Sequence, residues 1–193
     1  MLRYWLRREW YEALDEMDGL RGRVGSCGTT GAAAGCYQCT AVGAKAPDFI
    51  TRGALAGKPY TLRLSEQLKK GPVVLYFFPA AFTPGCTAEA HEFAEATDDF
   101  KAAGATVIGM SADPVDKLAR FSKQECRDKF AVASAGPAIV KGYDVALPMS
   151  GGMTNRTSYV IAPTGRIVYV HSAMSYKDHV KNTLAAVRAM KGQ

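Results

Sequence analysis

Val73-Val74-Leu75-Tyr76-Phe77-Phe78-Pro79-Ala80-Ala81-Phe82-Thr83-Pro84-Gly85-Cys86-Thr87-Ala88 is the stretch that decides the fold. Its first six residues are aliphatic or aromatic with no polar alternation, the pattern of a strand buried on both faces. A helix start follows, and its positions can be assigned one by one. Thr83 suits the N-cap, Pro84 the first helical position, and Cys86 then stands third, in the first turn. In a capping box that third position carries Glu or Gln, reaching back to unpaired backbone N–H groups. Here a cysteine takes that place. Free N–H groups and the helix dipole favour a thiolate over a thiol, and helix N-termini lower cysteine pKa values from about 8.5 to roughly 3.5–7.5.

Further along the same helix, Cys86, Ala90, Phe93, Thr97 and Phe100 recur at helical spacing as one face, while Thr87, His91, Glu95 and Asp98 form a polar one. Cys86 is thus expected at the edge of the core-facing stripe, in a pocket.

The chain of 193 residues is 48% hydrophobic. That suits one globular domain plus an appendage. Apolar runs fall short of the ~18 residues of a membrane span, so no membrane association is expected. The net charge is +6, but acidic and basic residues are interspersed without a Lys/Arg block. Nucleic acid is therefore not an expected partner. The five cysteines, at 27, 36, 39, 86 and 126, are odd in number and lack the spacing of a disulfide scaffold. Reactive or incidental thiols are the expectation.

Residues 1–42 read as an N-terminal extension and 43–193 as one domain. Leu2, Leu6, Trp10, Ala13 and Met17 fall at helical spacing between charged residues, which predicts an amphipathic helix over about 2–18. Residues 21–42 are rich in Gly, Ala, Ser and Thr, as linkers are. They are too poor in Leu, Ile and Val for a secretory signal core, so a cytoplasmic protein is expected, with an exported, periplasmic form as the alternative. Cys36-Tyr37-Gln38-Cys39 within the linker has neither the preceding strand nor the following helix of a redox CxxC, and no second ligand pair for zinc. It reads as incidental.

From residue 43 onward the pattern alternates. Strands are predicted over 60–64, 73–78, 105–111, 130–133, 157–162 and 166–170, the last two joined by a hairpin at Pro163-Thr164-Gly165. Helices are predicted over 83–102, from Asp113-Pro114 to about 129, and over 175–191, with helical turns at 65–70 and 138–142. The implied class is α/β, a mixed sheet with helices on both faces.

Pro79, Thr83 and Cys86 form Pro-x-x-x-Thr-x-x-Cys at a strand-to-helix junction, and with it the sequence resembles the peroxiredoxins of the alkyl hydroperoxide reductase/thiol-specific antioxidant superfamily. It is most similar to the bacterioferritin comigratory protein branch, or peroxiredoxin Q, through Phe77-Phe78-Pro79, Thr83-Pro84-Gly85-Cys86-Thr87 and Asn155-Arg156-Thr157-Ser158-Tyr159-Val160-Ile161. The resemblance covers roughly 42–190. It implies a thioredoxin-like fold and a thiol-dependent peroxidase acting on hydrogen peroxide and small organic hydroperoxides. No metal, haem, flavin or other cofactor is implied, and electrons come from thioredoxin or a similar thiol donor to a monomer or homodimer. Cys86 is the implied peroxidatic nucleophile, cycling through sulfenic acid. Thr83 is implied to hold peroxide and thiolate, Pro79 to shield the pocket, Arg156 to stabilise the thiolate and the departing oxygen, and Glu89 to orient Arg156.

One form of this branch carries a second cysteine five residues after the first; here that position is His91. Five residues turn a helix by about 500°, so His91 points away from Cys86 and is expected in solvent. Cys126 is the remaining candidate for resolving the sulfenic acid. Some members carry a cysteine on the corresponding helix, although the matching position lies nearer Ser122. A buried, inert cysteine is the equal alternative. Two other function classes also fit: a thiol-disulfide oxidoreductase using Cys36 and Cys39, and a redox-inactive binding module of thioredoxin fold.

Overall fold

The computed structural model describes residues 41–191. The expected N-terminal helix, the linker up to residue 40, and Cys27, Cys36 and Cys39 lie outside the described residues.

The elements run β1 (Ile50–Leu55), β2 (Lys58–Arg63), α1 (Leu64–Leu68), β3 (Val73–Phe77), α2 (Pro84–Ala102), β4 (Thr106–Ser111), α3 (Val115–Gln124), β5 (Ala131–Ser134), α4 (Pro137–Gly142), β6 (Thr157–Ile161), β7 (Ile167–Ser172) and α5 (His179–Lys191). Seven strands form one sheet in the order β2-β1-β5-β4-β3-β6-β7. β4 pairs in parallel with β3 and β5, whereas β6 runs antiparallel to both β3 and β7, so the sheet is mixed as expected.

Because strand side chains alternate, β3 supplies two cores. Val73, Leu75 and Phe77 enter one face of the sheet with Leu64 and Leu68 of α1 and Ile139 and Val140 of α4. Val74, Tyr76 and Phe78 enter the other with Cys86, Ala90 and Phe93 of α2, Leu118 and Phe121 of α3, and Val187 of α5. Each Val, Leu, Ile or Phe among them contributes about 1.5–3 kcal/mol on burial, before the entropy of ordering it. On the second face the Tyr76 ring stacks on Phe93 at 4.2 Å between centroids. Gly109 of β4 makes room for it, since a Cβ there would lie 2.9 Å from the Tyr76 ring.

Three departures from expectation exceed two residues. β1 was not foreseen. Its sequence Ile-Thr-Arg-Gly-Ala-Leu has no apolar run, and it is held as a strand by pairing with β2 and β5. The third helix stops at Gln124, not near 129, because Arg127 and Asp128 take left-handed φ values of 50° and 59°. Cys126 therefore lies just beyond the helix, in a turn closed by Asp128 N–H donating to Ser122 O at 3.2 Å. The last helix begins at His179, not 175, after Asp178 at φ 71°.

Candidate active site

β3 leads into the loop Pro79–Thr83, which Asp113 holds from below. Its Oδ2 accepts from Ala81 N–H at 2.6 Å and from the Ser111 hydroxyl at 2.9 Å. Asp113 was read from sequence only as part of a helix start, yet α3 is capped one residue later, at Pro114. The loop is strained: Phe82 sits at φ 67°, half out in solvent, with its ring edge-on to Phe121. A bulky residue there costs on the order of 1–3 kcal/mol, a kind of strain that clusters at functional sites. Pro79 is half-buried at the start of this loop.

Thr83 occupies the N-cap of α2 and Pro84 its first position, as expected. The Thr83 side chain, however, does not cap. It is exposed, and its hydroxyl donates at 2.9 Å to Ala80 O, the carbonyl that also closes the turn from 80 to 83 by accepting from Thr83 N–H at 3.5 Å. Cys86, in the first turn, is 2% exposed.

Arg156, immediately before β6, is brought onto the sulfur: its Nη2 donates to Cys86 Sγ at 3.4 Å. The guanidinium passes close over the first turn of α2: a Cβ at Gly85 would lie in ordinary contact, 3.4 Å from Arg156 Nη2 and 4.0 Å from the Tyr176 ring. The guanidinium is 5% exposed and fixed twice more. Nη1 donates to Glu89 Oε2, and Nε donates to Met174 O at 2.9 Å. Glu89 lies one helical turn after Cys86 and is fully buried. Burial pushes its carboxyl up to about 8, against the pull of Arg156. Pro79, Thr83, Cys86, Glu89 and Arg156 thus all lie at the junction of β3, α2 and β6.

Cys126 is also fully buried, in the same core cluster as Cys86. Burial raises its thiol well above the ordinary range, and Glu125 and Asp128 add to this. The folded Cys126 is a poor nucleophile. Two ion pairs and a hydrogen bond tie its segment to α2: Glu95–Arg127 at 3.3 Å, Asp98–Lys129 at 3.5 Å, and His91 Nε2 to Glu125 Oε2 at 2.8 Å. His91 is therefore not a free surface histidine, although it does point away from Cys86. The register of α2 against the 125–129 turn, invisible in the sequence, gives it a partner.

Sequence reading also missed His179, whose side chain is fully buried beside Glu89, and Tyr176, which packs over Gly85. A histidine opening an amphipathic helix carries no distinguishing signal.

Among the described residues no three His, Cys, Asp or Glu side chains converge on a metal position, and no helix is long and apolar enough to cross a membrane.

A cysteine buried at a helix N-terminus, with a guanidinium on its sulfur, on a thioredoxin-like mixed sheet, defines a thiol-based redox enzyme. Comparison narrows the class. Residues 42–170 match the AhpC/TSA family. A relative from Mycobacterium tuberculosis is 35% identical over 132 residues, which cover 67% of this chain and 86% of its own. Chloroplastic peroxiredoxin Q of Oryza sativa subsp. japonica is 31% identical over 149 residues, 77% of this chain and 67% of that protein. Among solved structures, peroxidoxin BcpB from Mycobacterium tuberculosis superposes with a TM-score of 0.71 at 32% identity, covering 78% of this chain and 98% of its own. The chain belongs to the AhpC/TSA family. It is a peroxiredoxin, a thiol-dependent peroxidase.

Proposed function

We propose that Cys86 is the peroxidatic cysteine and that Arg156, oriented by Glu89, is its electrostatic partner. The observation that carries this reading is the guanidinium contact with the buried sulfur at 3.4 Å. The Cys86 thiolate attacks one oxygen of the peroxide. An S–O bond forms, the O–O bond breaks, and the distal oxygen leaves as hydroxide or alkoxide and takes a proton to become water or alcohol. Cys86 is left as sulfenic acid. Arg156 favours the thiolate before attack and the charge on the leaving oxygen during it. Thr83, turned from Ala80 by rotation about χ1, donates to the peroxide, and Pro79 shelters the sulfenic acid from water. Substrates are hydrogen peroxide and small organic hydroperoxides.

Cys126 resolves the intermediate. Its thiol condenses with the sulfenic acid to give a Cys86–Cys126 disulfide and water, and a thioredoxin-like dithiol then reduces the disulfide, becoming a disulfide itself. The two sulfurs must come to about 2.05 Å, so the 125–129 turn must open. Two features favour opening. Arg127 and Asp128 hold strained left-handed φ values, and the two ion pairs over the turn, Glu95–Arg127 and Asp98–Lys129, are largely exposed, a class worth about 0–1 kcal/mol each and weakened by salt. One equivalent of peroxide is therefore expected to yield a dithiothreitol-sensitive 86-to-126 peptide under non-reducing mapping, forming faster as salt rises. Lasting sulfenic acid at Cys86 with Cys126 still free would make this a one-cysteine enzyme served by an external thiol.

A further inference from the structure

The imidazole of His179 stands behind both protein groups that hold Arg156 in place. On one side its Nε2–H donates to Ala173 O at 3.0 Å. The next carbonyl along, Met174 O, accepts from Arg156 Nε, and Ala173 N–H bonds back to Arg156 O at 3.2 Å. On the other side Nδ1 lies 3.7 Å from Glu89 Oε1, the carboxyl oxygen that has no hydrogen-bond partner among the described residues. The ring is itself fixed. Its Nδ1 accepts from the Ser158 hydroxyl at 2.8 Å, and His171 packs edge-on at 4.4 Å between centroids. One side chain thereby bonds to β6 and to the β7–α5 connection and packs against the Glu89 carboxyl of α2, the three segments around the guanidinium.

We propose that His179 is a positioning residue for the peroxidase reaction, fixing Arg156 against the Cys86 sulfur through the Glu89 carboxyl and the Ala173–Met174 backbone. The inference rests on the reading of Cys86 and Arg156 given above.

The tautomer also sets charge. With Nε2 protonated and bonded to a carbonyl, the Nδ1 lone pair accepts from Ser158, so the ring offers Glu89 Oε1 no hydrogen-bond donor. A carboxyl oxygen buried beside a ring that gives it no donor is held towards its neutral form, in the same direction as burial. A neutral Glu89 leaves the Arg156 charge to the sulfur, whereas an ionised one shares it. The charged or titratable groups around the pair are Glu89 and Glu92 of α2, Arg156 before β6 and His171 of β7. Burial holds His179 itself neutral, pushed down to about 4.

His179→Phe keeps the ring's bulk and removes both nitrogens. The rate of Cys86 with hydrogen peroxide should fall roughly 10- to 100-fold, the scale of an ångström-level misplacement. The pH profile of Cys86 alkylation should move to higher pH, and His179→Gln, which restores a donor to Ala173 O, should recover much of both. Ser158→Ala, which frees the ring without removing it, should shift both in the same direction by less, and it serves if His179→Phe does not fold. A wild-type rate and pH profile in whichever of these variants folds, whatever its stability, would overturn the proposal. Arg156→Ala is measured alongside. If that variant also reacts as wild type, the underlying reading of the site fails; if it is impaired while the His179 and Ser158 variants are not, only the role of His179 fails.

Discussion

With serine in place of Cys86, the protein is expected to fold as before and to lose peroxide turnover, on the order of 10⁶-fold, the loss seen when another enzyme is stripped of its nucleophile. A hydroxyl is not ionised near pH 7 and attacks a peroxide oxygen far more weakly than a thiolate. Structure should survive because the side chain is nearly isosteric, and the pocket already offers it a donor in Arg156 Nη2. Thermal unfolding within a few degrees of wild type, together with turnover at background, is the expected pair of results. Retained turnover would remove Cys86 from the mechanism.

Arg156→Ala should slow sulfenic acid formation by about 10²–10³-fold, the cost of removing one preorganised donor from a developing charge. It should also move the pH profile of Cys86 reactivity upward, because a cation beside the sulfur is lost. Stability should change in a pH-dependent way. Glu89, held up to about 8 even with Arg156 present, loses the cation that pulls it down and is pushed higher still. A carboxyl raised above its unfolded value of about 4.3 stabilises the fold below that pH, and this contribution is lost as pH rises towards the folded value. Up to about pH 7 the carboxyl is protonated in both folded proteins and their urea midpoints should fall in parallel, whereas above about pH 8, where the wild-type carboxyl ionises and the variant's does not, the variant's midpoint should go on falling relative to wild type. Stopped-flow kinetics and urea titrations at several pH values check both. Unchanged kinetics would mean that the guanidinium does not act on the sulfur.

The features legible in the sequence were those written in local pattern. The apolar run from Val73 to Phe78 had no reading but a buried strand, and the Cys86–Ala90–Phe93–Thr97–Phe100 stripe is buried along its whole length. Arg156 was found through a motif spaced 70 residues from Cys86, and the ladder of β3 against β6 explains the pairing: Phe77 stands opposite Thr157, so the residue before β6 falls at the end of β3 where α2 begins. Features that arise only on packing were missed. His179 and Asp113 act across the fold, and neither lies in a distinctive local setting. The end of α3 was misread because Leu118, Ser122 and Cys126 keep helical spacing, and two left-handed residues that are not glycine leave no compositional mark. The Thr83 hydroxyl was assigned by residue type, whereas in the fold it bonds the carbonyl of Ala80, three residues back in the turn.

The central claim is that peroxide is reduced at Cys86, and single-turnover stopped flow with thiol mapping tests it most directly. Fully reduced full-length protein is mixed with one equivalent of hydrogen peroxide, quenched with an alkylating agent at successive times, and mapped at all five cysteines. The account predicts that the Cys86 thiol disappears first, in step with peroxide, and that any loss at Cys126 follows it. Peroxide consumed with the Cys36 and Cys39 thiols while Cys86 remains alkylatable would contradict it.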